Sequence, residues 1–249
     1  MWLTKYNASG NDFLISIGFI KKNRSKLAKK LCNRFSGIGA DGFVVLLPNK
    51  KFAYEWEFYN SDGSNANMCG NASRCVAHYA YNNKLASKNH TFLSGAGEIK
   101  ANVSNDMVEI NLGRVAILKE NIIEDNLNFS LLDSGVPHLV SFVKSKNNFN
   151  DYEINFLRKL RLKYNANVNL ACILDRENIS LLTYERGVEN ITLACGTGMG
   201  AVYFLARYNN KINNNAVLTP PSNEKLYLRK IENEVYFKGK VQKIAEIFI

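Results

Sequence analysis

The sequence is poor in the residues that build disulfide frameworks, rigid loops and membrane spans. Its 249 residues include only five cysteines, four prolines and three histidines. The cysteines (32, 69, 75, 172 and 195) are odd in number and scattered, which argues against a disulfide scaffold. They read as reduced thiols of a cytosolic protein. No close cysteine pair has a matching second pair, so no zinc or other metal site is expected. No apolar run approaches the roughly 20 residues needed to span a bilayer. The opening "MWLTKYNASGNDFLI" lacks the basic segment and long apolar run of a signal peptide. A cytoplasmic chain with no membrane partner is therefore expected. What is present is ordinary for a globular protein: 46% hydrophobic and 22% charged residues. The length fits one large domain or two halves of about 120 residues. The net charge of +10 invites a nucleic-acid hypothesis. Yet the lysines are dispersed, clusters such as "IKKNRSKLAKK" are short, and there is no basic arm. Solvated lysines, with some steering of an anionic substrate, are the expected reading, and no nucleic-acid partner.

Strand-like and helix-like runs alternate along the chain. "DFLISIGF" is β-rich, and "RSKLAKKLCNRF" then places Leu27, Leu31 and Phe35 at helical spacing. "GFVVLL" reads as a short buried strand and "YEWEFYN" as an alternating one, with Tyr54, Trp56 and Phe58 on one face. A helix, "SRCVAHYAYNN", follows Cys69, and "EIKANVS" and "DMVEINL" are strands. In the second half "PHLVSFV", "VNLACIL" and "ISLLTYE" read as strands, and "EINFLRKLRLKY" and "GAVYFLARYNN" as helices. "KLYLRK" and "EVYFKGK" read as a closing hairpin.

Sliding the chain over itself by 125 or 126 positions exposes an internal repeat. "SGNDFLI" at 9–15 lies over "SGVPHLV" at 134–140, and Tyr59-Asn60 over Tyr184-Glu185. Cys69-Gly70-Asn71 lies over Cys195-Gly196-Thr197, and both following helices run into "YNN". "EIKANVSNDMVEINLG" at 98–113 lies over "EKLYLRKIENEVYFKG" at 224–239. Collinear matches at nearly one offset predict two related α/β halves, 1–114 and 115–249, meeting near residues 114–130. The closing strand, about 240–249, is free to pack on the first half.

Duplicated folds in one chain are commonly related by an approximate two-fold axis, which brings equivalent elements to a shared cleft. Cys69 and Cys195 would then approach a ligand from opposite sides. Two weak acid–base groups flanking one carbon suit racemisation or epimerisation. Each cysteine precedes a glycine and a helix, whose unpaired first-turn N–H groups bind anions and whose dipole favours thiolate. Glycine at 70 and 196 keeps side chains out of the way of a carboxylate. Cys32, Cys172 and Cys75 read as core, the usual place of a lone cysteine. "GIGADG" at 37–42 fits the glycine pattern of dinucleotide sites, but a helix precedes it and a strand follows, which is the wrong context.

The motifs "SGNDFL", "GIGADG", "YNSDGSNANMCGNASRC", "GVPHLV" and "YERGVENITLACGTG" resemble those of the diaminopimelate epimerase family, in that family's order over nearly the whole chain. The resemblance implies an α/β (α+β) fold of two pseudo-symmetric halves, each a mixed sheet wrapped around a central helix, with the active site in the cleft between them. It implies a homodimer that interconverts LL- and meso-diaminopimelate without pyridoxal phosphate or any other cofactor. Proline racemases and hydroxyproline epimerases share the fold but typically carry Cys-Gly-His where this chain has Cys69-Gly70-Asn71. By resemblance Cys69 and Cys195 are the acid–base pair, and the backbone of Gly70, Asn71, Gly196 and Thr197 holds the reacting carboxylate. Asn11, Asn60, Asn167, Glu185 and Arg186 match substrate-binding positions, and His138 a supporting one. The chain departs from common members at Val136 and Gly42, and its "ERGVENITLAC" loop is one residue longer. A racemase of a smaller amino acid and a basic nucleic-acid binder are the competing readings.

Overall fold

The computed structural model describes residues 1–249. The chain divides into two compact units, Met1–Asn111 with Lys238–Ile249, and Leu112–Phe237.

The first unit begins with a hairpin of β1 (Trp2–Ala8) and β2 (Asn11–Ile17). Ser9 and Gly10 close it, both at positive φ, which suits a two-residue turn that follows the strand twist. Helix α1 (Ser25–Cys32) buries Ala28, Leu31 and Cys32. It stops because Asn33 turns extended, and the Asn33 Oδ1 accepts the N–H groups of Phe35 and Ser36 at 2.9 and 2.8 Å. Such a side-chain turn competes with helix propagation. Phe35 is therefore off the helix and fully exposed, which corrects its expected place beside Leu27 and Leu31. Strands β3 (Gly42–Leu47) and β4 (Glu55–Asn60) follow, then α2 (Gly70–Asn82), β5 (Asn89–Ser94), β6 (Gly97–Ser104) and β7 (Met107–Gly113). On β4 the alternation holds for the aromatic face: Tyr54, just before the strand, stacks on Phe92 with ring centroids 4.9 Å apart. The other face is buried too, because Glu57 pairs with Arg24.

The second unit opens with β8 (Ala116–Glu124) and β9 (Leu127–Asp133). Asp125 and Asn126, both at positive φ, join them in a tight turn. Residues 114–130, where the two halves were expected to meet, thus hold β8, this turn and the start of β9. Then come β10 (Pro137–Phe142), α3 (Ile154–Tyr164), β11 (Asn167–Ile173), β12 (Asn178–Glu185) and the short β13 (Asn190–Ile191). Helix α4 (Gly196–Tyr208), β14 (Ala216–Thr219), β15 (Leu226–Ile231) and β16 (Glu234–Lys240) complete it. The last strand, β17 (Gln242–Phe248), returns to pair with β1 in the first unit.

Strand pairing shows the duplication. In the first unit the order β17-β1-β2-β3-β4-β5-β6 runs antiparallel, antiparallel, parallel, antiparallel, parallel, antiparallel. In the second, β8-β9-β10-β11-β12-β14-β15 repeats the same six relations. Within each unit one helix covers the outer face of the sheet. Leu31 and Ala28 of α1 pack with Leu3, Leu14, Phe43 and Val45. Leu157 and Leu160 of α3 pack with Leu139, Val168, Leu170 and Tyr184. The other helix lies inside the curl: α2 touches β1, β2 and β6, and α4 touches β10, β11 and β14. Burial of ten of the thirteen α2 residues follows from that central position.

Candidate active site

Both central helices start at a cysteine. Cys69 is the N-cap of α2 and Cys195 the N-cap of α4, each with extended backbone angles and no side-chain cap. The ladder begins with Ser73 N–H to Cys69 O at 2.8 Å and Met199 N–H to Cys195 O at 2.9 Å. The N–H groups of Gly70, Asn71, Gly196 and Thr197 precede that first bond and have no acceptor within the helix. An anion placed there would meet these donors and the positive end of the dipole.

In the first unit, Asn71 and Asn11 are locked together. The Asn71 amide donates to Asn11 Oδ1 at 2.7 Å, while the fully buried Arg74 donates to Asn71 Oδ1 at 2.7 Å and to Ser9 Oγ at 2.8 Å. Asn11 in turn donates to Asp41 Oδ2 at 3.0 Å. Arg34 binds Asp12 with two nitrogens, at 2.7 and 3.1 Å, and Asp41 at 2.8 Å. Lys5 lies 3.0 Å from Asp12. Burial works against ionisation of Asp12, but hydrogen bonds from Arg34 and Lys5 hold its carboxyl below the usual carboxylate range. Asn60, at the end of β4 opposite Gly42, is exposed and donates to Ser64 Oγ at 3.0 Å. Position 42 accepts no larger side chain, since a Cβ there would lie 2.7 Å from the Phe58 ring.

In the second unit, the end of β12, the start of β11, the start of β10 and the first turn of α4 converge. His138 is fully buried, its Nε2 3.0 Å from Thr197 Oγ1 and its Nδ1 3.0 Å from the Asn169 amide nitrogen. Burial, aided by the Arg186 charge, lowers its pKa to about 3, so the imidazole is neutral at physiological pH. Asn167 accepts the Arg186 N–H at 2.7 Å. The Arg186 guanidinium donates to Asn165 O at 3.0 Å. Cys195 Sγ is 3.6 Å from Thr197 Oγ1. Burial pushes the Glu185 carboxyl up, opposed by its polar neighbours Thr192 and Cys195. Ser134 Oγ donates to the Thr197 carbonyl at 2.9 Å, tying the β9–β10 turn to the helix start.

His138, Thr197 and Cys195 are therefore linked in the second unit, and Asn167 and Arg186 are joined beside them by the Arg186 N–H. In the first unit Asn11 and Asn71 are joined, and Asn60 ends a neighbouring strand. Of the remaining cysteines, burial pushes the Cys32 thiol up to about 12, with Asp12 and Asp41 adding to it, and raises Cys172, which disfavours the reactive thiolate at both. No three His, Cys, Asp or Glu side chains are grouped as metal ligands. No helix is long and apolar enough to cross a membrane. The sequence reading missed Arg74, Asp41, Asn169 and Thr183. A signal for one of them existed: Asn169 stands two residues from the expected Asn167 in an otherwise apolar strand, so the two share one buried face.

Solved structures with this architecture place the chain in a fold class. A PhzF-family phenazine biosynthesis protein of Enterococcus faecalis superposes with a TM-score of 0.76 at 12% identity, over 98% of this chain and 97% of its own. A hydroxyproline epimerase of Agrobacterium vitis superposes with a TM-score of 0.72 at 13% identity, over 99% and 91%. The chain thus has the two-unit α/β fold of PhzF proteins and hydroxyproline epimerases. The sequence model of the diaminopimelate epimerase family matches residues 3–118. A diaminopimelate epimerase of a Nitratiruptor species is 52% identical over 248 residues, covering 100% of this chain and 98% of that protein. The chain belongs to the diaminopimelate epimerase family.

Proposed function

We propose that the protein is a cofactor-independent epimerase interconverting LL- and meso-diaminopimelate, with Cys69 and Cys195 as a thiolate–thiol pair acting on opposite faces of the α-carbon. The observation that carries this reading is the duplicated helix start, where a cysteine stands at the N-cap and the first-turn N–H groups lack intrahelical acceptors. One thiolate takes the α-proton and the opposite thiol supplies another, which inverts the centre. Charge that develops during deprotonation is stabilised by the N–H groups of Gly70, Asn71, Gly196 and Thr197 around the substrate carboxylate. Arg186 offers a guanidinium fork for a carboxylate. Asn11, Asn60 and Asn167 can donate and accept, as the ammonium and carboxylate of the distal end require. Glu185 and His138 stand beside Cys195 and set the polarity around it. The role belongs to lysine and peptidoglycan precursor synthesis in the cytoplasm, with no nucleic-acid partner. The test is incubation of purified protein with LL-diaminopimelate in D₂O and no added cofactor. The meso isomer should accumulate with deuterium at the inverted carbon. Failure to form it, together with turnover of proline isomers, would point to a racemase for a smaller substrate.

A homodimer is part of the proposal. Trp2, Ile244 and Phe248 are exposed on β1 and β17, and the Trp2 and Phe248 rings lie 6.2 Å apart, an apolar face suited to a second copy. Sedimentation should give about twice the 28.1 kDa chain mass, and Phe248→Asp should shift the species toward monomer. A wild-type protein sedimenting as one chain at micromolar concentration removes this part.

A further inference from the structure

We infer that Asn169, supported by Thr183 and Gly198, is a positioning residue that holds the His138 imidazole in its Nε2–H form and so directs a one-way run of hydrogen bonds onto the Cys195 sulfur. The inference rests on the acid–base role proposed for Cys195. Asn169 is fully buried and its amide has only one workable orientation. Its Nδ2 lies 3.1 Å from the Leu139 carbonyl oxygen, which only accepts, and its Oδ1 receives the Thr183 hydroxyl at 2.8 Å. The NH₂ group therefore also faces His138 Nδ1, at 3.0 Å, and that nitrogen must accept. A neutral imidazole accepting at Nδ1 carries its proton on Nε2, which points at Thr197 Oγ1, 3.0 Å away. The Asn167 amide nitrogen, also a donor, lies 3.3 Å from Nε2 and gains no hydrogen bond from it in this tautomer, which the closer contacts at Nδ1 and at Thr197 Oγ1, each 3.0 Å, outweigh. Its orientation is set by the Arg186 N–H on Oδ1, and its hydrogens have the Pro137 carbonyl within 3.4 Å.

Thr197, accepting from His138, turns its own hydrogen toward Cys195 Sγ at 3.6 Å. Glu185 also interacts with this thiol, which works against the upward push of burial on its carboxyl. The run is therefore Asn169 to His138 to Thr197 to Cys195, each member donating to the next, and bonds aligned in this way strengthen one another. A donor fixed on the sulfur stabilises the thiolate each time Cys195 gives up its proton. The charged groups facing this run are Glu185 and Arg186, both at the end of β12.

Gly198 makes the arrangement possible. A Cβ there would lie 2.5 Å from Asn169 Oδ1, 3.0 Å from Thr183 Oγ1 and 3.2 Å from His138 Cε1. The amide is held from both ends, so it cannot swing aside. The repeat-equivalent position in the first unit is Ala72, fully buried with its methyl group in place, so this device belongs to one half only.

The test uses the full-length protein with ¹⁵N-labelled histidine, which has three imidazoles to assign. His138 should show a protonated Nε2 and bare Nδ1, unchanged from pH 8 to pH 5. Alkylation of Cys195, followed by peptide mass spectrometry, should shift its pH midpoint up by about one unit in Asn169→Leu, about tenfold slower below the midpoint. Diaminopimelate turnover in the same variant should lose kcat with KM little changed. Thr197→Val should reproduce the alkylation shift and Thr197→Ser should not. A wild-type proton on Nδ1, or an Asn169→Leu protein with an unshifted Cys195 profile, overturns the inference. If Asn169→Leu does not fold, the wild-type spectrum and the Thr197 pair decide. If the wild-type protein does not turn over diaminopimelate, the spectrum and alkylation still report on the hydrogen-bond run, so the two failures are separable.

Discussion

Serine at either Cys69 or Cys195 lowers interconversion of the diaminopimelate isomers by roughly 100- to 10,000-fold, the range in which a positioned acid–base group contributes. The exchange is nearly isosteric but replaces a titratable thiol by a hydroxyl that does not ionise near neutrality. Folding should survive. Both positions are N-caps with no side-chain cap of their own, and serine is a preferred N-cap residue. Thermal unfolding of each variant should therefore stay at or slightly above that of the wild type while activity collapses. Isomer ratios by chiral chromatography, alongside calorimetry, check both halves of the expectation. Wild-type interconversion in either variant would end the two-base reading.

The largest loss of stability is expected from Glu57→Ala. Glu57 and Arg24 form an ion pair with less than a tenth of either side chain exposed. Glu57 also accepts the Lys22 N–H at 2.8 Å, and Arg24 donates to the Ile20 carbonyl at 2.9 Å. Together they strap the segment between β2 and α1 onto β4. Removing the carboxylate leaves a buried guanidinium without its counter-charge, which costs about 3–5 kcal/mol. For a chain of this size that corresponds to a fall in Tm of roughly 10 °C. A paired replacement, Arg24→Met with Glu57→Leu, should recover much of the loss, because no charge is then stranded. Glu57→Ala within about 1 kcal/mol of wild type by urea unfolding would show that the pair is not a structural anchor.

Legibility of the sequence followed the range of the interaction involved. The helix starts at Cys69 and Cys195 were readable because a cysteine, a glycine and a following apolar period are all local. The repeat made them readable as a pair. The end of α1 was not readable from periodicity alone: Phe35 continues the spacing of Leu27 and Leu31, but the Asn33 side chain captures the next N–H groups and stops the helix. Trp2–Ala8 and β8 were missed because these strands alternate weakly, and most of β8 is exposed. Arg74 looked like one more basic residue in a chain with 32 of them. Only the packing of α2 inside its sheet shows that this one is fully buried and hydrogen-bonded to Asn71 and Ser9.

The sequence by itself determined the duplication, the two thiols and the family, because these are carried by residue identity and order along the chain. Which nitrogen of His138 holds a proton, which way Asn169 faces and why position 198 must be glycine were decided by the tertiary structure alone. Those features arise where β10, β11, β12 and α4 meet, from hydrogen bonds whose direction is set by partners up to 59 residues away along the chain.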